Sequence, residues 1–364
     1  MNGFEKGIEC IWQTCNSTGF KEEIQRLQEL FFGNPLILYG AGAIGDSVLL
    51  LLTRYHVKVS CFCDKNKIGI QKSSGLPIIS PEQMILQYPN ANIIVCSVNY
   101  EGEIIHELIQ LGIPVSQIYR RSTLHLHEMV YDDLAVHFEG YRRMYASLGD
   151  DWSKKILLER ISCYLTSSPI TSSGDDKQYF DPEIITLHPE EIFVDGGMYT
   201  GDTAQSFFRF SNDRYGHYYG FEPDGRNFKN AKENLRDKAD CTLIKKGLWS
   251  REAKLTFSGS LASGSHLNAS GNGDFIDVVS LDKFFQDRAA PTFIKMDIEG
   301  AEQEALRGAE HVIRNNKPKL AICVYHKPED IYVLPELIKT FRDDYLFYLR
   351  HYSNMLYETV LYAI

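Results

Sequence analysis

Four strings in the C-terminal half put reactive side chains where an apolar run breaks into a turn. The first is Asp195-Gly196-Gly197-Met198-Tyr199-Thr200-Gly201-Asp202-Thr203, which follows EIFV and precedes a helical pattern. Its glycines permit a sharp turn and a close backbone approach to a ligand. The spacing D-x-G-x-x-x-G departs from the dinucleotide pattern G-x-G-x-x-G, and Asp195 and Asp202 add negative charge. Such a turn disfavours a pyrophosphate and suits a sulfonium or ammonium group. The second is Glu222, 27 residues further on, at the end of HYYGFE. A carboxylate there can accept hydrogen bonds from two ribose hydroxyls. The third is Asp297, closing TFIKMD before Glu299 and Gly300 turn into a helix; helix capping is its plainer use. The fourth is the pair Tyr325-His326-Lys327 and Arg350-His351, each after an apolar run. One carboxylate and two imidazoles at one sheet edge can act as general base and orienting group, or hold a divalent metal.

These residues need elements that bring them to one edge. Apolar runs at EIFVD, HYYGFE, CTLIKKG, TFIKMD, KLAICVYH, YLFYLRHY and ETVLYAI read as strands, most of them separated by helical patterns. Alternating strands and helices imply a parallel sheet, whose ligands bind at the carboxyl ends of its strands. Residues 248–280 interrupt the alternation with a Ser- and Gly-rich stretch between KLTF and FIDVVSL. The N-terminal third shows the same alternation: NPLILYG, VKVSCFCD, NIIVCSV and VSQIY as strands, with helices between. The expected fold is α/β, two Rossmann-like, doubly wound domains at 1–122 and 179–364. A helical connector and linker, 123–178, joins them, and its TSSPITSSGDDK segment reads as a flexible linker or lid.

The strings DGGMYTGDT, FEPD, VVSLDKFF, IKMDIEGAEQEALRGA, YHK and LRHYS, in this order over residues 179–364, resemble the FkbM-type methyltransferase family. The resemblance implies a seven-stranded methyltransferase sheet closed by an antiparallel strand pair. It implies S-adenosylmethionine bound at Asp195, Gly196, Gly197, Met198, Tyr199, Thr200, Gly201, Thr203 and Glu222. It also implies O-methylation of a hydroxyl on a sugar, glycan or related small molecule. Met198-Tyr199 stands where many members carry Ala-Asn, so the loop's contact with its ligand is open. On this reading His326 is the general base, Asp297 orients the acceptor and His351 assists; the rival is a divalent metal on the same three residues. Tyr179-Phe180 would form a hydrophobic lid, and residues 258–273 would flank the acceptor site.

In the N-terminal domain, Gly40-x-Gly42-x-x-Gly45 lies between a strand and a helix, with Asp64 19 residues later. This is the spacing of a nucleotide-binding turn. With the string from Gly75 to Glu82 it is similar to small Rossmann-like domains of sugar-modifying enzymes. Alternatives to methyl transfer are therefore a nicotinamide-dependent oxidoreductase or epimerase working from this turn, or a non-catalytic nucleotide-sugar-binding module.

Composition limits the partners. The 364 residues carry 38 Lys and Arg against 48 Asp and Glu, a net charge of −10, which lacks the basic footprint of a nucleic-acid binder. The eight cysteines are scattered without disulfide or zinc spacing, which fits reduced thiols in the cytoplasm. MNGFEKGIEC has no signal pattern, and the longest aliphatic cluster, Val48 to Leu52, falls far short of the about 20 apolar residues of a membrane helix.

Overall fold

The β-branched and aliphatic runs of the chain are buried as mostly parallel strands. The computed structural model describes residues 3–17, 20–97, 100–120, 131–166, 168–257, 274–353 and 356–364. They form two units, Met1–Ala135 with Tyr164–Ser167, and Val136–Cys163 with Ser168–Ile364.

In the first unit, helices α1 (Gly3–Ser17) and α2 (Phe20–Leu30) lead into β1 (Leu36–Tyr39), α3 (Ala43–Arg54), β2 (Cys61–Cys63), β3 (Gly69–Ile70), β4 (Pro77–Ile79), α4 (Pro81–Gln87), β5 (Asn92–Val95), α5 (Glu101–Gln110) and β6 (Ile118–Arg120). The sheet order is β3-β4-β2-β1-β5-β6, parallel except for the β3–β4 hairpin. Ser80 and Gln83 cap α4 reciprocally, with Pro81 at its first turn. Leu36, Ile37, Leu38, Ile93, Ile94 and Val95 are buried, as expected of strands covered on both faces.

The second unit begins within α6 (Tyr131–Ser147), at Val136, and takes in most of α7 (Asp151–Thr166), in the stretch expected to be a connector. Both pack on the C-terminal part of this unit. His137 Nδ1 lies 2.8 Å from Tyr332 Oη, and Leu349 N donates to Ser153 Oγ at 2.8 Å. Buried Arg160 donates to the Leu356 carbonyl at 2.8 Å and to Thr359 Oγ1 at 2.5 Å. The described part of the segment expected to be a flexible linker or lid is tied down as well. Thr171 donates to Glu159 from N and Oγ1, and Ser173 N donates to the His351 carbonyl at 2.6 Å.

The main sheet then follows: β7 (Ile192–Gly196), α8 (Asp202–Ser211), β8 (His217–Phe221), α9 (Gly225–Asn234), β9 (Cys241–Ile244), β10 (Gly247–Leu248), β11 (Ala253–Phe257), β12 (Asp274–Val279), α10 (Leu281–Phe284), β13 (Phe293–Met296), α11 (Glu302–Arg307), α12 (Glu310–Asn316), β14 (Lys319–Cys323), α13 (Asp330–Phe341), β15 (Phe347–His351) and β16 (Thr359–Ala363). Seven strands run β15-β16-β14-β13-β7-β8-β9; only β16 is antiparallel to its neighbours. The expected seven-stranded sheet with an antiparallel closing pair is therefore the observed one. β10, β12 and β11 form a separate three-stranded sheet, in which KLTF and FIDVVSL, the strand-like flanks of the Ser- and Gly-rich stretch, supply β11 and β12. The Ser- and Gly-rich stretch 258–273 lies outside the described residues.

The core on one face of this sheet is aromatic. Phe193 and Phe207 stack at 4.6 Å, and Phe180 meets Phe293 edge-on at 6.0 Å. Phe180 is thus a core residue and not part of a lid: its ring is buried among four other phenylalanines.

Candidate active site

Strands β13, β7 and β8 are parallel neighbours, so their carboxyl ends present Asp297, Asp195-Gly196 and Glu222 along one edge. The turn after β7 is left-handed at Gly197, Tyr199 and Gly201, with φ of 76°, 50° and 92°. Glycine is required at 197: a Cβ there would lie 1.9 Å from the Asp297 carbonyl oxygen. The backbone of this turn is also bonded into the sheet. Gly197 N and Met198 N both donate to the Phe221 carbonyl, and Asp297 N donates to the Gly196 carbonyl at 3.0 Å. Met198 is fully buried, so of the two candidate ligand-facing residues only Tyr199, 57% exposed, faces outward. Asn234 Nδ2 donates to the Thr200 carbonyl, and Thr203 lies buried in the first turn of α8.

Glu222 is buried, with Oε2 accepting from Tyr199 N at 3.1 Å and Oε1 from Asp224 N at 2.8 Å. Burial pushes its carboxyl above the usual range, while these two backbone donors favour the ionised form. Each oxygen keeps a second lone pair for an incoming hydroxyl. Pro223 ends the strand, and Asp224 caps α9 by accepting from Arg226 N and Asn227 N.

Asp195 is enclosed by donors of the protein itself. It has no exposed surface; Lys295 Nζ donates to its Oδ1 at 2.9 Å and Tyr218 Oη donates to its Oδ2 at 2.8 Å. Lys295 also donates to the Gly197 carbonyl at 2.9 Å, and its ammonium lies 5.1 Å from the centre of the Tyr179 ring. Burial alone would lower the lysine, but Asp195 and Asp297 outweigh it and push its pKa up, so the pair is ionised. Lys295 fastens the first strand's carboxylate to the turn and stands between the two halves of the site. It was not among the residues singled out from the sequence. A lysine in FIKM, a strand buried on both faces, is the signal for it: buried lysines are rarely unpaired.

Asp297 is the centre of a second cluster. Tyr179 Oη donates to Oδ2 and Tyr325 Oη to Oδ1, both at 3.0 Å. Burial would raise this carboxyl, but Lys295, His326 and the two phenols hold it below its ordinary value. Tyr179 has φ of 68°, a conformation that a bulky side chain adopts only under constraint. Its N donates to Tyr362 Oη at 3.0 Å, and its hydroxyl also lies 3.5 Å from Cys323 Sγ.

His326, just past β14, packs its ring 4.2 Å from that of Tyr325 and faces three carboxylates. Nδ1 is 3.3 Å from Glu302 Oε1, and Nε2 is 3.5 Å from Glu299 Oε2 and 3.6 Å from Asp297 Oδ1. Burial would lower the imidazole, but Glu299, Glu302 and Asp297 push it up to about 10. At neutral pH it is therefore an imidazolium, and it must shed that proton before it can accept another. Neither ring nitrogen makes a hydrogen bond, and Glu302 Oε2 has no partner. Asp330, buried beside Glu302, is raised to about 7 by burial and by that carboxylate.

His351 does not join this cluster. It has no exposed surface, and its Nδ1 and Nε2 lie 2.7 Å from Thr359 Oγ1 and 3.2 Å from Ser353 Oγ. Strand β16 separates β15 from β14, which puts His351 roughly 10 Å away across the sheet. The constellation of Asp297, His326 and His351 is thus replaced by Asp297, Glu302 and His326.

In the first unit, Gly40 and Gly45 answer to packing: a Cβ would lie 2.8 Å from the Cys96 carbonyl oxygen or 2.1 Å from that of Gly40. Gly42 faces open space. Asp64 accepts from Ala41 N at 3.0 Å, tying the glycine turn to the end of β2, and from Asn66 N and Lys67 N. Its carboxylate holds the local turn together.

Residues 195–351 match the family described as "Methyltransferase FkbM domain", and residues 34–119 match "C2185-like, N-terminal". No curated protein matches the chain. Among solved structures, the chain is similar to methyltransferase FkbM from Methylobacillus flagellatus KT, at 23% identity and a TM-score of 0.59, over 96% of this chain and 99% of that one. This likeness is one of fold. An rRNA methylase from Streptococcus thermophilus aligns at 18% identity over 49% of this chain and 87% of that chain, with a TM-score of 0.32. A putative methyltransferase from Streptococcus mutans, in complex with SAH, aligns at 12% identity over 50% and 92%, with a TM-score of 0.31. Among the described residues no helix is long and apolar enough to cross a membrane.

Proposed function

We propose, from the premise that the C-terminal half belongs to the FkbM methyltransferase family and makes the chain an S-adenosylmethionine-dependent methyltransferase, that it methylates a hydroxyl of a sugar, glycan or related small polar molecule. The observation that carries this reading is the single sheet edge that presents both halves of a transfer site. The Gly197–Gly201 turn and Glu222 follow β7 and β8; Asp297 and His326 follow the adjacent β13 and β14.

The residues fit the cofactor. Gly197 gives the turn its left-handed backbone and its close approach to the Asp297 carbonyl, and Glu222 is a buried carboxylate with free lone pairs at the second strand end. Bound there, S-adenosylmethionine supplies a methyl group on a positively charged sulfur. In our reading, Glu222 holds the ribose hydroxyls while the 197–201 backbone approaches the amino-acid portion. Lys295 keeps Asp195 and the Gly197 carbonyl fixed, so the site is shaped before binding. Asp297 accepts a hydrogen bond from the acceptor hydroxyl and aims its oxygen. The acceptor forms the new bond to carbon, the carbon–sulfur pair leaves with sulfur, and the hydroxyl proton passes to a base. His326 is placed to receive it after its own proton has passed to solvent by way of the exposed Glu299, 3.5 Å from Nε2. A contribution of 100–10,000-fold is usual for such a base, taken as an order of magnitude.

The test is calorimetric titration with S-adenosylhomocysteine, wild type beside Glu222→Ala. Saturable binding that weakens roughly 10–150-fold in the variant, the equivalent of one charged hydrogen bond of about 1.5–3 kcal/mol, supports the assignment. Binding by neither protein, or equal binding by both, refutes it. A screen of hydroxylated sugars for methyl transfer then identifies the acceptor class.

A further inference from the structure

We infer that Asp297, Glu302 and His326 form a divalent-cation site of mixed nitrogen and oxygen donors, suited to Mn²⁺ or Zn²⁺. One ligand atom from each residue lies within 4.8 Å of the other two. Donors about 2.1 Å from one ion sit roughly 3–3.5 Å apart, so side-chain adjustment suffices to close the set. His326 offers one nitrogen to an ion, and one pair is already near that separation: Nδ1 stands 3.3 Å from Glu302 Oε1, or Nε2 stands 3.6 Å from Asp297 Oδ1, while the third residue closes in.

The independent observation is a set of unsatisfied buried atoms. The Glu302 side chain is 1% exposed; its Oε1 accepts from Ile298 N at 2.8 Å, while Oε2 has no hydrogen-bond partner. The His326 side chain is 8% exposed, and neither of its ring nitrogens is hydrogen-bonded. His326 meets the Glu302, Glu299 and Asp297 carboxylates only at ion-pair distances of 3.3–3.6 Å, and a cation in place of its proton would satisfy a ring nitrogen and Glu302 Oε2 together. Each oxygen of Asp297 accepts one tyrosine hydroxyl, which leaves lone pairs for a metal. Glu299, 64% exposed and 3.5 Å from Nε2, adds a further carboxylate at the mouth. One imidazole with two carboxylates is a donor set for Mn²⁺ or Zn²⁺, with positions left over for outside ligands. On the O-methylation reading those positions take the acceptor's oxygens, and the ion then replaces His326 as the group that makes the hydroxyl acidic; that clause rests on the proposed function, and binding of the ion does not.

The experiment uses the full chain stripped with EDTA and titrated with MnCl₂ alone, followed by calorimetry and by loss of the free-Mn²⁺ electron paramagnetic resonance signal. Wild type is compared with Glu302→Gln and His326→Gln. One saturable site per chain is expected, weakened about tenfold or more in each variant. Spin-echo modulation should show one histidine nitrogen coupled to Mn²⁺ in the wild type and none in His326→Gln. Absence of saturable uptake of both Mn²⁺ and Zn²⁺ by the wild type overturns the inference. So does uptake without a histidine coupling, a readout that stands even if a variant fails to fold. S-adenosylhomocysteine is titrated into the same samples: its failure to bind would refute the cofactor reading, while the Mn²⁺ result still decides this one.

Discussion

Replacing Lys295 by methionine isolates the buried contact that links the cofactor turn to the acceptor side. The side chains of Lys295 and Asp195 are 2% and 0% exposed, so solvent screening is minimal. Methionine keeps most of the volume, which leaves charge as the main change. Removing one partner strands the other in the interior, with only Tyr218 still donating to it. Breaking a buried pair in this way costs about 3–5 kcal/mol. At roughly 2–4 °C per kcal/mol, the second unit's unfolding midpoint should fall by about 6–20 °C. The assay is thermal and urea unfolding of the variant beside wild type and beside Lys295→Met/Asp195→Asn. Since the double variant no longer buries a bare carboxylate, it should recover about 1–3 kcal/mol, the range of coupling between contacting residues. S-adenosylhomocysteine affinity should fall in the single variant, because the Gly197 carbonyl loses its buried donor. A single variant within about 1 kcal/mol of wild type, or a double variant no more stable than the single, would refute the ion-pair account.

Three further outcomes are expected. Gly197→Ala should destabilise the second unit by about 2–5 kcal/mol and abolish S-adenosylhomocysteine binding: the left-handed conformation costs roughly 1–2 kcal/mol and the overlap with the Asp297 carbonyl roughly 1–3. Gly42→Ala, a helix N-cap with φ of −108° and open space around it, should shift the first unit by no more than about 1 kcal/mol, and equal melting shifts for the two alanine variants would contradict this contrast. Asp150 accepts from Ser153 N and from both terminal nitrogens of Arg350; burial would raise its carboxyl, but these donors hold it below its ordinary value. Its stabilisation is therefore complete above the ordinary carboxylate range and is lost as pH falls through the lowered value. Asp150→Asn should cost about 1–2 kcal/mol at pH 7 and little at the acid end, read from urea midpoints across pH; a cost that does not change with pH would contradict it.

Much of the second unit was legible because its strands are apolar runs ended by glycine, proline or an acidic turn. DGG, FEPD and MDIEG each mark a strand end where the backbone must reverse into a helix, so the edge that presents Gly197, Glu222 and Asp297 could be placed from spacing alone. Long-range pairing could not. The sequence shows two closing strands but not that β16 inserts between β14 and β15, and this insertion is what separates His351 from His326. Glu302 occupies the first turn of α11, an ordinary place for a carboxylate, and only the fold turns it inward beside His326. Tyr179 and Phe180 looked like a lid because they follow a Ser- and Gly-rich segment, whereas their aromatic surface is worth more inside the core.

The position of β16 also bears on how the polypeptide is made. It follows β14 and β15 in the chain yet fills the gap between them, so during vectorial synthesis both wait with open edges until Thr359–Ala363 emerges. Open strand edges are templates for pairing with other molecules. Nascent chains lacking these residues should therefore be the species most prone to aggregate and to occupy chaperones. The second unit, unlike the first, should acquire protease resistance only after these residues leave the ribosome.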